Sequence, residues 1–218
     1  MKDIDLVILA GGKGTRIKKY LNNMPKPMLK FNHIYFLKYL INNFAKYPFK
    51  KIYILTGYKN NIIYKNFNNK IYNFIKVKCI NEKKLLGTGG ALYSLKKEKM
   101  NDFVLTNGDT IFDIDLINFI KTCKQGDIGS MALSHKKNNI NSLKLNNLGL
   151  QKKKIIYTKN NKLINGGIYF FKKKLLNLIP SKICSLENDI LPELIKKNKI
   201  SGNIYDNFFF RYGYSKIS

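Results

Sequence analysis

The segment Leu9-Ala10-Gly11-Gly12-Lys13-Gly14-Thr15-Arg16 places three glycines within four positions. Glycine admits backbone conformations and close approaches that a β-carbon would block. Successive backbone N–H groups in such a loop can form a concave nest for an anion, and Lys13 and Arg16 add positive charge beside it. A tight structural turn has the same composition, so the loop alone does not decide between the two. Nine residues after Arg16 stands Pro25-Lys26-Pro27. Two prolines restrict the backbone on both sides of one lysine and deny it a helix, which predicts an extended segment that holds an ammonium in place. The two segments together favour contact with phosphates. They are neither a Walker A loop nor the G-x-G-x-x-G of dinucleotide folds. Further along, Asn107-Gly108-Asp109-Thr110 ends an apolar run, and a Gly-Asp turn there favours a ligand role for Asp109 over a helix cap. Leu86-Gly87-Thr88-Gly89-Gly90-Ala91 is a second glycine turn, which a helix start would also explain.

These residues need elements to position them. Ile4–Leu9 is a continuous apolar run, the pattern of a strand buried on both faces. Lys51–Thr56, Ile75–Ile80, Phe103–Thr106, Asp127–Leu133 and Ile164–Phe171 predict further strands. Tyr35–Lys46 carries Phe36, Leu37, Leu40, Ile41 and Phe44 at helical spacing. Leu92–Lys97, Leu175–Ile179 and Asp189–Lys197 predict shorter helices, and Asp115 predicts a cap over a helix at Leu116–Lys124. The alternation predicts an α/β sandwich with a mainly parallel sheet. Ligands of such sheets bind beyond the carboxyl ends of the strands, where the two glycine turns and Asp109 fall.

The chain has 218 residues, 40 basic against 13 acidic, for a formal charge of +27. A charge of that size suggests a polyanionic partner. The basic residues are nearly all lysine, however, and 38 Lys, 29 Ile and 28 Asn are what AT-rich codons produce. Nucleic acid is therefore not the expected partner, and the two arginines, Arg16 and Arg211, become informative positions. No run approaches the ~18 apolar residues of a membrane span. The amino-terminal MKDIDLVILAGG has acids where a signal peptide has a basic region, so a cytoplasmic location is expected. Cys79, Cys123 and Cys184 have no CxxC spacing and are expected as buried thiols, not as a disulfide framework or zinc site.

GGxGTR followed by PKP resembles the signature of the sugar-1-phosphate nucleotidyltransferases. The GTGGA turn, the Asn107–Leu116 stretch, Asn165-Gly166-Gly167-Ile168-Tyr169 and Ser185-Leu186-Glu187-Asn188-Asp189 to Pro192 extend the likeness. It is strongest toward the heptose-1-phosphate guanylyltransferases, neighbours of the mannose-1-phosphate enzymes. The resemblance implies a three-layer Rossmann-like sandwich with a mixed, mainly parallel sheet, of the nucleotide-diphospho-sugar transferase type. It implies one domain over 1–218, with a nucleotide-binding half at 1–120 and a divergent, carboxyl-terminally short sugar-binding half at 121–218. The implied reaction is attack of a sugar 1-phosphate (heptose or hexose) on the α-phosphorus of an NTP, with GTP first among candidates. Pyrophosphate leaves, and the product is a nucleotide-sugar for surface polysaccharide. Both reactants are anionic, so catalysis is positioning plus charge stabilisation.

In those terms Ala10, Gly11, Gly12, Lys13, Gly14 and Thr15 would cradle the triphosphate. Arg16 would hold the pyrophosphate with its forked donors. Lys26 would neutralise the α-phosphate, and Asp109 would bind Mg²⁺. Gly87, Thr88 and Gly89 would take the base edge and ribose, and Asn165, Gly166, Gly167, Lys159 and Glu187 the sugar phosphate. A homodimer is compatible with the resemblance.

Two departures stand out. The family's Glu-Lys pair before the sugar-side strand is reduced to Lys159. Where the family carries its second metal aspartate, alignment on Gly213 places Arg211, unless a register shift brings in Asp206. A relative that binds nucleotide or nucleotide-sugar without turnover is therefore the alternative to an active enzyme.

Overall fold

The apolar run at the amino terminus forms β1 (Ile4–Leu9), whose residues alternate between two hydrophobic clusters. Leu6 and Ile8 face one cluster and Val7 the other, as a strand with side chains on alternate faces requires. The structure, a computed structural model, describes residues 3–14, 21, 24–31, 33–82, 84–135, 147–159 and 163–211, with Phe31 and Arg211 given through their backbone. The strands after β1 are β2 (Lys30–Phe31), β3 (Ile34–Tyr35), β4 (Ile52–Thr56), β5 (Ile71–Tyr72), β6 (Ile75–Asn81), β7 (Asp102–Asn107) and β8 (Thr110–Phe112). They are followed by β9 (Gly129–His135), β10 (Leu148–Gln151), β11 (Lys154–Tyr157), β12 (Leu163–Phe171), β13 (Ile200–Ile204) and β14 (Phe209–Arg211).

Ten of these strands form one sheet in the order β10-β11-β13-β9-β12-β7-β1-β4-β6-β5. The run β7-β1-β4-β6 is wholly parallel. β12 then pairs antiparallel with both β7 and β9, while β9 and β13 are parallel. The carboxyl ends of β1, β4, β6, β7, β9 and β13 therefore share one edge with the start of β12.

Helices cover both faces. One layer holds α1 (Phe36–Phe44), α2 (Asn60–Phe67) and α4 (Leu116–Lys121), through Leu37, Leu40, Ile63, Phe67 and Phe119. The other holds the 3₁₀ segments Ala91–Lys97 and Lys173–Leu178 and helix α5 (Leu191–Lys196), through Leu92, Leu95, Leu175 and Leu194. The result is the expected three-layer α/β sandwich with a mixed sheet. The single-turn helix α3 (Gly87–Gly90) opens the second layer.

Most expected elements are present, with shifted ends. α1 stops at Phe44, two residues before the predicted end, because Pro48 follows and the last amides turn back at Ala45 and Tyr47. Asp115 does cap α4: its Oδ1 accepts from the Ile117 and Asn118 amides at 3.0 and 3.1 Å. The predicted helix at 189–197 is a π-type turn, Leu186–Ile190, leading into α5. Helix α2 was not predicted. It buries only Ile63 and Phe67, and it starts after Lys59 in a left-handed conformation without a side-chain cap. The β10–β11 hairpin was also missed. It turns at Lys152 and Lys153, both at positive φ, where glycine or asparagine would have given the signal.

Candidate active site

The loop after β1 is built against the loops of its two sheet neighbours. The Ala10 amide continues the ladder to the Leu55 carbonyl (2.8 Å), and the Gly11 carbonyl accepts from the Tyr58 amide (3.1 Å). A β-carbon on Gly11 would lie 2.6 Å from Glu82 Oε1 and 3.2 Å from the Gly57 nitrogen, so a side chain there would displace the Glu82 carboxylate and crowd the Gly57 backbone. Gly14 has φ +62°, and its open side is taken by Leu21 and the Lys26 stem. Gly12 meets nothing within 4 Å, and Lys13 is exposed. Thr15 and Arg16 lie outside the described residues.

Lys26 opens a single 3₁₀ turn, Lys26–Met28, where the two prolines predicted an extended segment. Pro25 is extended, as expected of a residue before the turn, but Pro27 sits at a first-turn position where no backbone donor is needed. Pro25 and Pro27 are buried, which fixes the stem of the lysine between them. Its Nζ lies 2.5 Å from Asp109 Oδ2, with the two side chains 14% and 25% exposed. Asp109 Oδ1 accepts from the Thr110 hydroxyl (3.1 Å). Gly108 puts the aspartate there: its amide bonds the Leu9 carbonyl (2.8 Å), which a β-carbon would meet at 2.7 Å. The structure thus brings together Lys26 and Asp109, which stand 83 positions apart in sequence.

Among the described residues no three His, Cys, Asp or Glu side chains form a metal cluster. One half-buried carboxylate at a strand end does fit a hard cation that arrives with phosphates and keeps its waters. Asp109 would hold such an ion, and Lys26 would be released toward the phosphate that accompanies it.

Sequence reasoning passed over Glu82. It directly follows β6, its amide bonds the Thr56 carbonyl (2.8 Å), and its Oε2 accepts from the Leu86 amide (3.3 Å). Its other oxygen lies at Gly11. The carboxylate therefore sits between the two glycine loops, and burial pushes its pKa up to about 7. An acid at a strand end, in a chain with only 13 acids, was the available signal.

The second glycine turn is clasped by residues 182–187. The Gly89 and Gly90 amides both bond the Cys184 carbonyl (3.1 Å each), and the Cys184 amide bonds the Leu86 carbonyl (2.9 Å). Thr88 Oγ1 donates to Glu187 Oε2 at 2.6 Å and accepts from the Leu186 amide at 2.9 Å.

In the second half of the chain, β12 bulges between Asn165 and Tyr169, with Gly167 at φ +75°. The Asn165 amide group donates to the Tyr169 hydroxyl (2.6 Å) and accepts from the Gly167 amide (2.9 Å). The room over Gly166 is occupied by the Phe112 ring, 2.4 Å from where a β-carbon would stand. Lys159 is exposed ahead of this strand. His135 ends β9 and meets Asp206 at 3.6 Å, a partner the sequence did not suggest for either residue. Backbone pairing of β14 with β8 sets Arg211 opposite Thr110, next to Asp109. His33 takes φ +64° in the β2–β3 turn, a glycine-like conformation. The cysteines are free, and burial raises the Cys79 thiol to about 12. No helix among the described residues is long and apolar enough to cross a membrane.

Residues 6–140 match the nucleotidyl transferase family. The chain is 33% identical to a D-glycero-alpha-D-manno-heptose 1-phosphate guanylyltransferase of Campylobacter jejuni, over 95% of this chain and 93% of that protein. It is 34% identical to the bifunctional protein GlmU of Methanococcus aeolicus, over 91% of this chain and 49% of that longer protein. Among solved structures, HddC from Yersinia pseudotuberculosis, also solved in complex with GMP-PN, superposes with a TM-score of 0.77 in that complex, at 26% identity, over 96% of this chain and 94% of that one. The chain belongs to the nucleotidyl transferase family and is a sugar-1-phosphate nucleotidyltransferase.

Proposed function

We propose that this nucleotidyltransferase uses GTP with Mg²⁺, transferring GMP to a heptose or hexose 1-phosphate and releasing pyrophosphate. The observation that carries the choice of base is Glu82. Guanine presents two adjacent donors, N1–H and the 2-amino group, and a carboxylate is an acceptor-only partner with two oxygens. Uracil and thymine present one N–H between two carbonyls, which a carboxylate repels. The guanylyltransferase relative and the GMP-PN complex of HddC support the same choice.

The roles of the chain's residues follow from position. The Gly11–Gly14 loop and Lys13 take the phosphates, and Lys26 leaves Asp109 to face the α-phosphate. A metal ion held by Asp109 would supply fixed positive charge to the phosphate oxygens. Arg16 carries the pyrophosphate role from the sequence, and Lys159 with the Asn165–Gly167 bulge forms the sugar-phosphate end. The product class suits surface polysaccharide assembly from the cytoplasm, and glycan composition after gene deletion would test that.

Arg211 favours a second reading. Backbone pairing puts position 211 opposite Thr110, and an arginine there, where the resemblance expects a second metal carboxylate, fits binding without turnover. One experiment separates the readings: pyrophosphate release with each of the common nucleoside triphosphates, Mg²⁺ and a panel of sugar 1-phosphates. GTP-dependent release is expected. Calorimetric GTP binding without release from any pair would establish the second reading, and equal turnover of UTP would overturn the base assignment.

A further inference from the structure

Glu187 lies in the second half of the chain but touches the first half's glycine turn, 99 positions away. The hydrogen-bond directions there are forced. Thr88 Oγ1 already accepts the Leu186 amide, so its one proton goes to Glu187 Oε2. Ser185 Oγ already accepts the Asn188 amide (3.1 Å), so its proton also goes to Glu187 Oε2 (3.0 Å). One carboxylate oxygen thus ties the turn at Thr88 to the cap of the following helical segment.

The surrounding backbone closes the same joint. Two of the turn's amides, at Gly89 and Gly90, are spent on the Cys184 carbonyl. A β-carbon on Gly87 would meet that carbonyl oxygen at 2.5 Å, and one on Gly89 would meet Cys184 Sγ at 2.8 Å. These glycines are therefore required by the strap beneath the turn. The turn owes its position to residues 184–187, not to its own sequence alone.

We propose that Glu187 is a positioning residue for the nucleotide, acting through Thr88 to hold the Gly87–Thr88 end of the turn in place. The inference rests on the nucleotide occupying this turn, as in the reading above. It predicts an effect on nucleotide affinity from a residue in the sugar half. A carboxylate contacting sugar hydroxyls predicts the opposite division.

The test uses calorimetric binding of GTP with Mg²⁺ to the wild type, Glu187→Ala, Thr88→Val and the double variant, together with KM for GTP and for the sugar 1-phosphate. Each single variant is expected to weaken GTP binding about tenfold, the size of one lost charged hydrogen bond. The double variant should be no worse than either single, and the sugar-phosphate KM should move less than about twofold. Glu187→Gln, whose amide oxygen still accepts both hydroxyls, should restore binding to within about threefold of wild type, which separates this role from misfolding. Unchanged GTP binding in either single variant would overturn the proposal. So would a rise in sugar-phosphate KM confined to Glu187→Ala. A wild type that binds no nucleotide would overturn the underlying reading, and this inference with it.

Discussion

In the β7-β1-β4-β6 half of the sheet the strands are parallel, and their carboxyl-end loops carry Gly11, Glu82 and Asp109. In the β9-β12-β13 half the corresponding edge includes the start of an antiparallel strand, and three of its polar side chains are engaged within the protein. Asn165 bonds Tyr169 and Gly167, His135 meets Asp206, and Glu187 bonds back to the first half. The contrast teaches where ligand capacity comes from. Parallel strands deliver loop amides and short side chains to one edge, while in the bulged antiparallel strand the Asn165 side chain holds the bulge, which leaves the sugar-phosphate contacts of the proposed reading to Lys159 and the bulge backbone.

That contrast can be broken most sharply at Asp109. Asp109→Ala should lower kcat by on the order of 10³, the scale of one lost electrostatic stabiliser, in a steady-state pyrophosphate assay. Gly87→Ala comes next. A left-handed φ of +80° and the Cys184 carbonyl both oppose a methyl group, so ~1–3 kcal/mol of strain and loss of most GTP binding are expected. Gly12→Ala, with open space around it, should leave the melting temperature nearly unchanged. If the two glycines behaved alike in thermal melts, the strap would not be what shapes the turn.

In the other half, Asn165→Ala should cost about 1–3 kcal/mol in chemical denaturation, because it removes two buried hydrogen bonds, the one to the Tyr169 hydroxyl and the one from the Gly167 amide. Its kcat should stay within about tenfold of wild type. A kcat loss as large as that of Asp109→Ala would erase the difference between the halves.

The smallest effect is a pH dependence. On the proposed reading, Glu82, raised to about 7 by burial, accepts both guanine donors only when ionised. GTP affinity should therefore rise as pH increases through about 7 and then level off, as titration calorimetry at several pH values would record. Stability has the opposite sign. The raised pKa favours the folded state below the ordinary carboxyl range, and that contribution is lost as pH rises toward 7. Glu82→Gln should flatten both profiles.

Local signals made the first half legible in the sequence. Gly11, Gly14, Lys26 and Asp109 each stand in a short motif, and the strand patterns of β1, β4 and β7 are continuous apolar runs. What escaped depended on distance or on unusual turn residues. Glu82 gains its meaning only from Gly11, which the β1–β4–β6 order brings to it. The Thr88–Glu187 joint spans the two halves, and the Lys152-Lys153 turn hides a hairpin behind lysines. The prolines around Lys26 were misjudged because a proline in the first turn of a helix costs no hydrogen bond. The lysine-rich composition says nothing of position, whereas Lys26, one lysine of 38, is the one that the fold holds against Asp109.

The central claim is that Glu82 reads guanine between the two glycine loops. The most direct measurement is the ratio of kcat/KM for GTP over UTP, in the wild type and in Glu82→Gln. The wild-type ratio should be at least on the order of 10², and the substitution should reduce it about tenfold or more, chiefly by weakening GTP. A ratio that Glu82→Gln leaves unchanged would contradict the account.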